Sequence, residues 1–277
     1  MFLSITQAQA SARKSQQAAR CSQGGERMAF EAGKVYAVWL REVKRFINSK
    51  SRMVTSLVMP LLFLGALGGG LSSMIPGFNY SSFLLPGIVA MTVLFSSIAA
   101  GVSIIWDREF GFLKEMLASP TRRESLVLGR TLGGATTAII QGLLILALGI
   151  PLTGIAVPQP ANLFLALVLM AIFSCFLVMV GISFASLVQE VETFQLIMNL
   201  VIMPLFFLSN AMLPIDKMPP WLQAISTLNP VSYAVDGLRG LLIGQTQFGI
   251  FLDFSVVILS FLVALAASTY LFSKTSI

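Results

Sequence analysis

The stretch Asn162–Leu187, NLFLALVLMAIFSCFLVMVGISFASL, decides the fold class. It holds fifteen Leu, Ile, Val and Phe and no charge. A helix needs roughly 20 apolar residues to cross the hydrocarbon core of a bilayer. At about −0.3 to −0.6 kcal/mol per residue, those fifteen favour insertion by about 5–9 kcal/mol. A buried helix of this length in a soluble protein would carry a polar stripe, and this one has none.

Working outward, the same pattern recurs. Met53 to Trp106, Thr131 to Gln189, Thr193 to Ile215 and Phe254 to Ser273 are all free of charge. Their lengths predict an all-α membrane protein with six transmembrane helices, near 53–72, 83–105, 126–150, 162–187, 193–213 and 249–272. The whole chain agrees: 11% of its residues are charged, 56% are hydrophobic, and none is histidine. A soluble domain of 277 residues would carry far more charge on its surface.

The basic residues set the orientation. Ten precede the first predicted span: Arg13, Lys14, Arg20, Arg27, Lys34, Arg41, Lys44, Arg45, Lys50 and Arg52. Arg108, Lys114, Arg122, Arg123 and Arg130 lie between the second and third spans, and Lys274 follows the last. Six spans put these on one side, leaving only Lys217 and Arg239 on the other. Loops near helix ends keep their Lys and Arg in the cytoplasm, so both termini are expected inside, in a cell inner or plasma membrane. The net charge of +6 reflects this bias. With no aromatic-interleaved basic patch, it does not point to nucleic acid. Anionic headgroups are the expected partners of some of these charges.

Residues 1–27 are polar, with no acid before Glu26 and no apolar core, which excludes a secretory signal. They read as a disordered or non-native tail, with Met28 as an alternative start. Over residues 30–50, Val35, Trp39, Val43, Phe46 and Ile47 recur at helical spacing, opposite Lys34, Arg41, Lys44 and Arg45. That predicts an amphipathic helix lying in the inner interface, or packing on protein. In the first span, Gly65 and Gly69 have the spacing that lets helices approach closely. Asn79-Tyr80-Ser81 matches a glycosylation sequon, which matters only in a eukaryotic secretory setting.

After the second span comes the segment DREFGFLKEMLASP, Asp107 to Pro120. Phe110, Leu113 and Leu117 share one face of a short helix that Pro120 stops. The stretch 214–247 is apolar, yet neither half is long enough to cross. Short helices dipping into the outer leaflet are expected there.

Several chemistries are missing. There is no Gly-x-x-x-x-Gly-Lys-Ser/Thr phosphate loop and no Gly-x-Ser-x-Gly nucleophile motif. Without histidine, and with Cys21 and Cys175 far apart, neither zinc catalysis nor a disulfide is expected. The spans are nearly bare of ionisable residues. Asp253 is the acidic candidate, and near the interface it reads as a solvated helix end. An ion-coupled carrier, which wants midplane carboxylates, is therefore disfavoured. A non-transporting membrane assembly factor would explain the spans but not the charged helix at 107–118.

Two motifs carry a resemblance. Asp107 to Pro120 resembles the cytoplasmic signature of ABC-2-type transporter permeases. Phe206-Phe207-Leu208-Ser209-Asn210, Pro214, Pro219-Pro220-Trp221-Leu222, and Leu228 to Arg239 (LNPVSYAVDGLR) resemble the same family's region before its last helix. The resemblance covers about residues 30–275 and is nearest the daunorubicin-resistance and nodulation-factor exporters. It implies a transmembrane permease subunit without catalytic residues, exporting an amphipathic or lipid-linked substrate. Two copies, or a copy and a close homologue, would pair. A separate ABC ATP-binding subunit would hold ATP and magnesium, and this chain would bind no cofactor or metal. The coupling helix would comprise Arg108, Glu109, Phe110, Gly111, Leu113, Glu115, Leu117 and Pro120. The interface helix would present Trp39, Arg41, Lys44 and Arg45. The outer re-entrant motif would be Asn229, Pro230, Tyr233, Asp236 and Arg239. Phe95, Phe206 and Phe207 are available to line an apolar path.

Overall fold

The structure is a computed structural model, and it describes residues 32–74, 79–109, 123–188 and 190–274. The tail at 1–27 and the segment 110–122 lie outside the described residues, as do the side chains of Asp107, Arg108 and Glu109. Among the described residues the secondary structure is entirely helical.

Helix α1 spans residues 32–48. Helices α2 (Lys50–Phe63) and α3 (Gly69–Met74) are joined by a π-helical turn, Leu64–Gly68, shortly after Pro60. Two long helices follow, α4 (Tyr80–Glu109) and α5 (Arg123–Thr153). Then come α6 (Pro160–Leu187) and the shorter α7 (Val191–Phe207). A 3-10 turn at Ile215–Lys217 leads to α8 (Pro220–Leu228), α9 (Pro230–Ile243) and the closing helix α10 (Ile250–Lys274).

Among the described residues, five stretches are long and apolar enough to cross a membrane: Met53–Ser72, Tyr80–Ser103, Ser125–Thr153, Pro160–Leu187 and Ile250–Leu271. They coincide with five of the six spans predicted from sequence. The remaining one, near 193–213, is a 17-residue helix that ends at Phe207. Beyond it the chain turns through 208–212. There the Ser209 hydroxyl donates to Phe206 O at 2.6 Å and accepts from Ala211 N at 3.3 Å. The side chain thus satisfies backbone groups that a continuing helix would have paired.

Helix α4 is the hub. Its Leu84, Leu85, Ile88, Val89, Val93 and Leu94 have no exposed surface, and they pack with Leu169, Met170 and Phe173 of α6. Helices α2 and α10 sit at the periphery with apolar faces uncovered, as lipid-facing helices do. Small residues bring the hub and its neighbour together. A Cβ on Gly101 of α4 would lie 2.8 Å from the main-chain carbon and oxygen of Gly181 on α6. The small-residue signal noted in the sequence points elsewhere: Gly65 and Gly69 face open space among the described residues, and Gly68 is the residue that meets Ser81.

Candidate functional site

Helix α1 and the antiparallel pair α4–α5 build one end of the bundle. Glycines at 129 and 133, one turn apart on α5, form the seat. A Cβ on Gly129 would lie 2.9 Å from Cβ of Val38, and one on Gly133 would lie 2.8 Å from Cβ of Glu42. Beside them the Trp39 indole N–H donates to Oγ1 of Thr136 at 3.0 Å. Phe46 is buried. The packed stripe of α1 is therefore Val35, Val38, Trp39, Glu42 and Phe46. The apolar stripe expected from sequence included Val43 and Ile47, but Ile47 is 55% exposed. The difference arises because glycine leaves room for the stem of Glu42 against α5.

Of the basic residues predicted for this helix, Lys44 and Arg45 are exposed. Arg41 pairs with its neighbour Glu42 at 3.2 Å. Arg45 places its guanidinium 5.8 Å from the Trp106 ring centroid, within cation–π range. Trp106 lies in the last turn of α4, just before the segment 110–122. On the other flank, Arg130 of α5 donates to Oγ of Ser103 on α4 at 3.1 Å. Helix α1 thus contacts both helices that flank the predicted coupling segment. The coupling residues Phe110, Gly111, Leu113, Glu115, Leu117 and Pro120 lie outside the described residues. Gly129, Gly133, Thr136 and Trp106 were missed from sequence, although the one-turn spacing of the two glycines was a readable signal.

The opposite end holds the motif Asn229 to Arg239. Asn229 caps α9: its Oδ1 accepts from Val231 N at 3.0 Å, and its Nδ2 donates to Leu205 O at 2.6 Å. Pro230 occupies the first helical position, where its missing N–H costs nothing. Tyr233 donates to Thr227 O at 2.8 Å and stacks on Phe248 at 4.7 Å. Burial raises its phenol above the ordinary value, and the charge of Asp253 adds to that rise. Helix α9 itself is buried almost all round, wedged against α4, α6 and α10, whereas α8 leaves Trp221, Ile225 and Leu228 exposed.

Inside the wedge lies a polar cluster. Asp236 has no exposed surface. Its Oδ2 accepts from the backbone N–H of Gln247 at 2.8 Å and of Phe248 at 2.9 Å, and its Oδ1 accepts from Asn210 Nδ2 at 3.4 Å. Arg239 is 2% exposed and uses Nη2 to donate to Asn210 O at 2.8 Å. Its guanidinium carbon stands 3.8 Å from the centroid of the Phe83 ring. Among the described residues, its Nε and Nη1 have no hydrogen-bond partner, and neither does Asn210 Oδ1. Burial lowers the Arg239 pKa to about 10, with Asp236 opposing the fall, so the group is a cation at neutral pH.

Asp253 overturns a sequence expectation. Read as a solvated helix end, it is instead fully buried, with both carboxyl oxygens unpartnered among the described residues. The cause is α9, which folds back over the first turn of α10. Its Gly237 leaves room for the acid, since a Cβ there would lie 3.2 Å from Cβ of Asp253. Phe206 departs from its expected role too: it is 2% exposed and part of the core. Phe207 is 53% exposed and Phe95 half-buried, so both remain near a surface. Among the described residues no group of three or more Cys, Asp or Glu could hold a metal.

Both clusters join helices of the bundle to one another. The sequence has relatives among known transport permeases. The pattern of the ABC-2 type transporter family matches residues 33–243. The chain is 34% identical over 214 residues to ycf38 of Cyanophora paradoxa, described as a transport permease, covering 71% of each chain. It is 24% identical to the inner membrane transport permease YadH of Escherichia coli K12, covering 82% of this chain and 90% of that one. Nodulation protein J of Rhizobium leguminosarum bv. trifolii is 28% identical, with 76% and 81% covered.

Proposed function

The chain belongs to the ABC-2 type transporter family, and from that premise we propose that it is the permease subunit of an exporter driven by a separate ATP-binding-cassette protein. The family consists of membrane permeases, which are transporters rather than enzymes. ATP and magnesium belong to the partner, and this chain supplies a path with two states whose balance the partner shifts.

The observation that carries the reading is the position of α1. Seated on Gly129 and Gly133 of α5 and touching Trp106 of α4, it bears on both flanks of the 110–122 segment. A partner gripping that segment through Phe110, Leu113 and Leu117 would move α4, α5 and α1 together. A short apolar face between charges suits docking of a helix in a groove. Helix α7 supplies the sixth crossing in this reading. Its 17 residues span about 25 Å, at the short end of what a bilayer needs. Six crossings put α1, the 110–122 segment and both termini in the cytoplasm, and α8–α9 at the outer leaflet. The membrane in this reading is a cell inner or plasma membrane, which the name of the relative YadH, an inner membrane transport permease, supports.

A second copy of the chain, or a close homologue, completes the path. Leu196, Leu200, Met203 and Phe207 form an exposed stripe along α7 that a partner would cover. The exposed apolar surface and sparse charge near the path favour an amphipathic or lipid-linked cargo. The test is purification with the cognate ATPase, followed by transport into vesicles. Co-elution and ATP-dependent export of a lipophilic cation support the reading, and equal export of a small polar sugar counts against the cargo class.

Asp253 keeps one alternative open, because a buried unpartnered acid is what ion coupling uses. Asp253→Asn separates the two: ATP-driven export survives the substitution, and ion-coupled transport does not.

A further inference from the structure

Helix α1 carries a second apolar stripe that the bundle leaves uncovered. Its packed stripe, on α5 and the core, is Val35, Val38, Trp39, Glu42 and Phe46. Tyr36, Leu40, Val43 and Ile47 are spaced four, three and four residues apart, which places them on one helix face. Tyr36 is 57% exposed and Ile47 55%, and the two residues between them are half-buried. The Tyr36 ring leans on that of Trp39, with 5.4 Å between centroids, so the free stripe borders the packed one.

Charge is sorted around the same helix. At about 100° per residue, Lys44 borders the free stripe on the side away from α5, and Arg41 and Arg45 follow further round. Residues 32–50 contain one acid, Glu42, and the room at Gly133 takes its stem toward α5. The outward side of α1 therefore presents apolar groups and cations without a carboxylate. Lys44 and Lys50 are exposed and form no ion pair among the described residues.

The start of α2 decides what covers this side. The first crossing begins at Met53, five residues after Asn48, where α1 ends. Even a fully extended chain spans only about 17 Å over that distance, so the end of α1 stays close to the edge of the hydrocarbon. Helix α2 carries the apolar surface onward with Val54, Val58 and Leu62 exposed at helical spacing. An apolar stripe edged by cations at this depth matches a leaflet of net negative charge.

We propose that α1 is a docking surface for anionic phospholipid, with Tyr36, Leu40, Val43 and Ile47 resting against the acyl chains and Lys44 and Lys50 binding the headgroups. Because α1 bears on both α4 and α5, this contact links the end of the bundle that carries the 110–122 segment to the composition of the leaflet. It needs only a bilayer, so it stands or falls apart from the ATPase reading.

The test uses the full chain in nanodiscs of phosphatidylcholine, with and without phosphatidylglycerol. Amide exchange over residues 32–48 should slow by about fivefold when phosphatidylglycerol is present, while exchange in α6 stays constant. High salt should shrink the effect, since the headgroup charges are screened. Lys44→Gln with Lys50→Gln should abolish at least half of the slowing, and Lys44→Arg with Lys50→Arg should retain it. No slowing, or slowing that the glutamine pair leaves intact, overturns the proposal. A spin label at Ile47→Cys, with Cys21→Ser and Cys175→Ala, reads the apolar stripe directly. Collisions with oxygen and shielding from a water-soluble nickel complex are expected. Free access to the nickel complex places the stripe in water and overturns the proposal. Shielding from both reagents does so too, because it means that protein covers the stripe.

Discussion

Nη2 of Arg239 donates to the main-chain oxygen of Asn210 at 2.8 Å, joining stretches 29 residues apart. The bond anchors the turn after α7 to the buried face of α9. The same turn is held from α4, where Tyr80 donates to Met212 O at 2.7 Å. Gly87 also lies so close to Ala211 that a Cβ would collide with its backbone. The outer motif is thus a strut between helices far apart in sequence.

Asp236 is the centre of that strut. Asp236→Ala leaves the N–H groups of Gln247 and Phe248 without their acceptor and Arg239 without its compensating charge. The expected loss of stability is about 2–4 kcal/mol. Asp236→Asn, which keeps a carbonyl oxygen, should lose less. Chemical unfolding in detergent, monitored by circular dichroism, measures both. Equal stability of the alanine variant and the parent would refute the strut.

The crossing of α4 and α6 tolerates no side chain at its closest point. Gly101→Ala places a methyl group 2.8 Å from the backbone of Gly181. The expected cost is about 1–3 kcal/mol. Gly65→Ala meets nothing within 4 Å among the described residues and serves as the control. A midpoint lowered by Gly101→Ala and unchanged by Gly65→Ala is the expected result for the isolated chain.

The Trp39–Thr136 bond holds α1 to α5. Thr136→Val keeps the shape and removes the acceptor, costing about 0.5–1.5 kcal/mol locally. Amide exchange over residues 32–48 should quicken while exchange in α6 stays constant. Uniform quickening would mean that α1 is not a separate docked element.

Leu113→Asp with Leu117→Asp places charge on the predicted docking face, outside the membrane. Insertion should be unaffected, because neither residue lies in a span. Recovery of the ATPase with the permease should fall at least tenfold, and transport with it. Normal co-purification and transport would remove the coupling assignment.

Asp253→Asn should leave stability unchanged or raise it, since the carboxyl oxygens have no partner to lose among the described residues. The thermal midpoint measures this. A drop of several degrees would mean that the acid is paired with a group brought in by a ligand or a second chain.

Much of the fold was legible in composition and run length alone. Asn162–Leu187 is apolar on every face, so no tertiary arrangement is needed to explain its insertion. Five helices appear where uncharged runs predicted them, because a bilayer imposes one length scale on every crossing. The stretch near 193–213 was harder, because Ser209 and the turn after Phe207 end its helix within an unbroken apolar run. Hydropathy does not register such local hydrogen bonding.

The sites divide in the same way. The basic, amphipathic character of α1 was readable, but its seat was not. Whether Val43 or Glu42 faces α5 depends on two glycines about 90 residues away. At the other end, the residue types of the motif 229–239 were conspicuous, and their partners were not. Sequence alone determined that this chain lives in a membrane and is built of apolar helices, because transfer free energy sums over local residues. Only the tertiary structure decided that Asp253 is buried, that Arg239 keeps free donors, and which glycines mark helix crossings. Burial and pairing are properties of what other segments bring to a residue, and no local pattern encodes them.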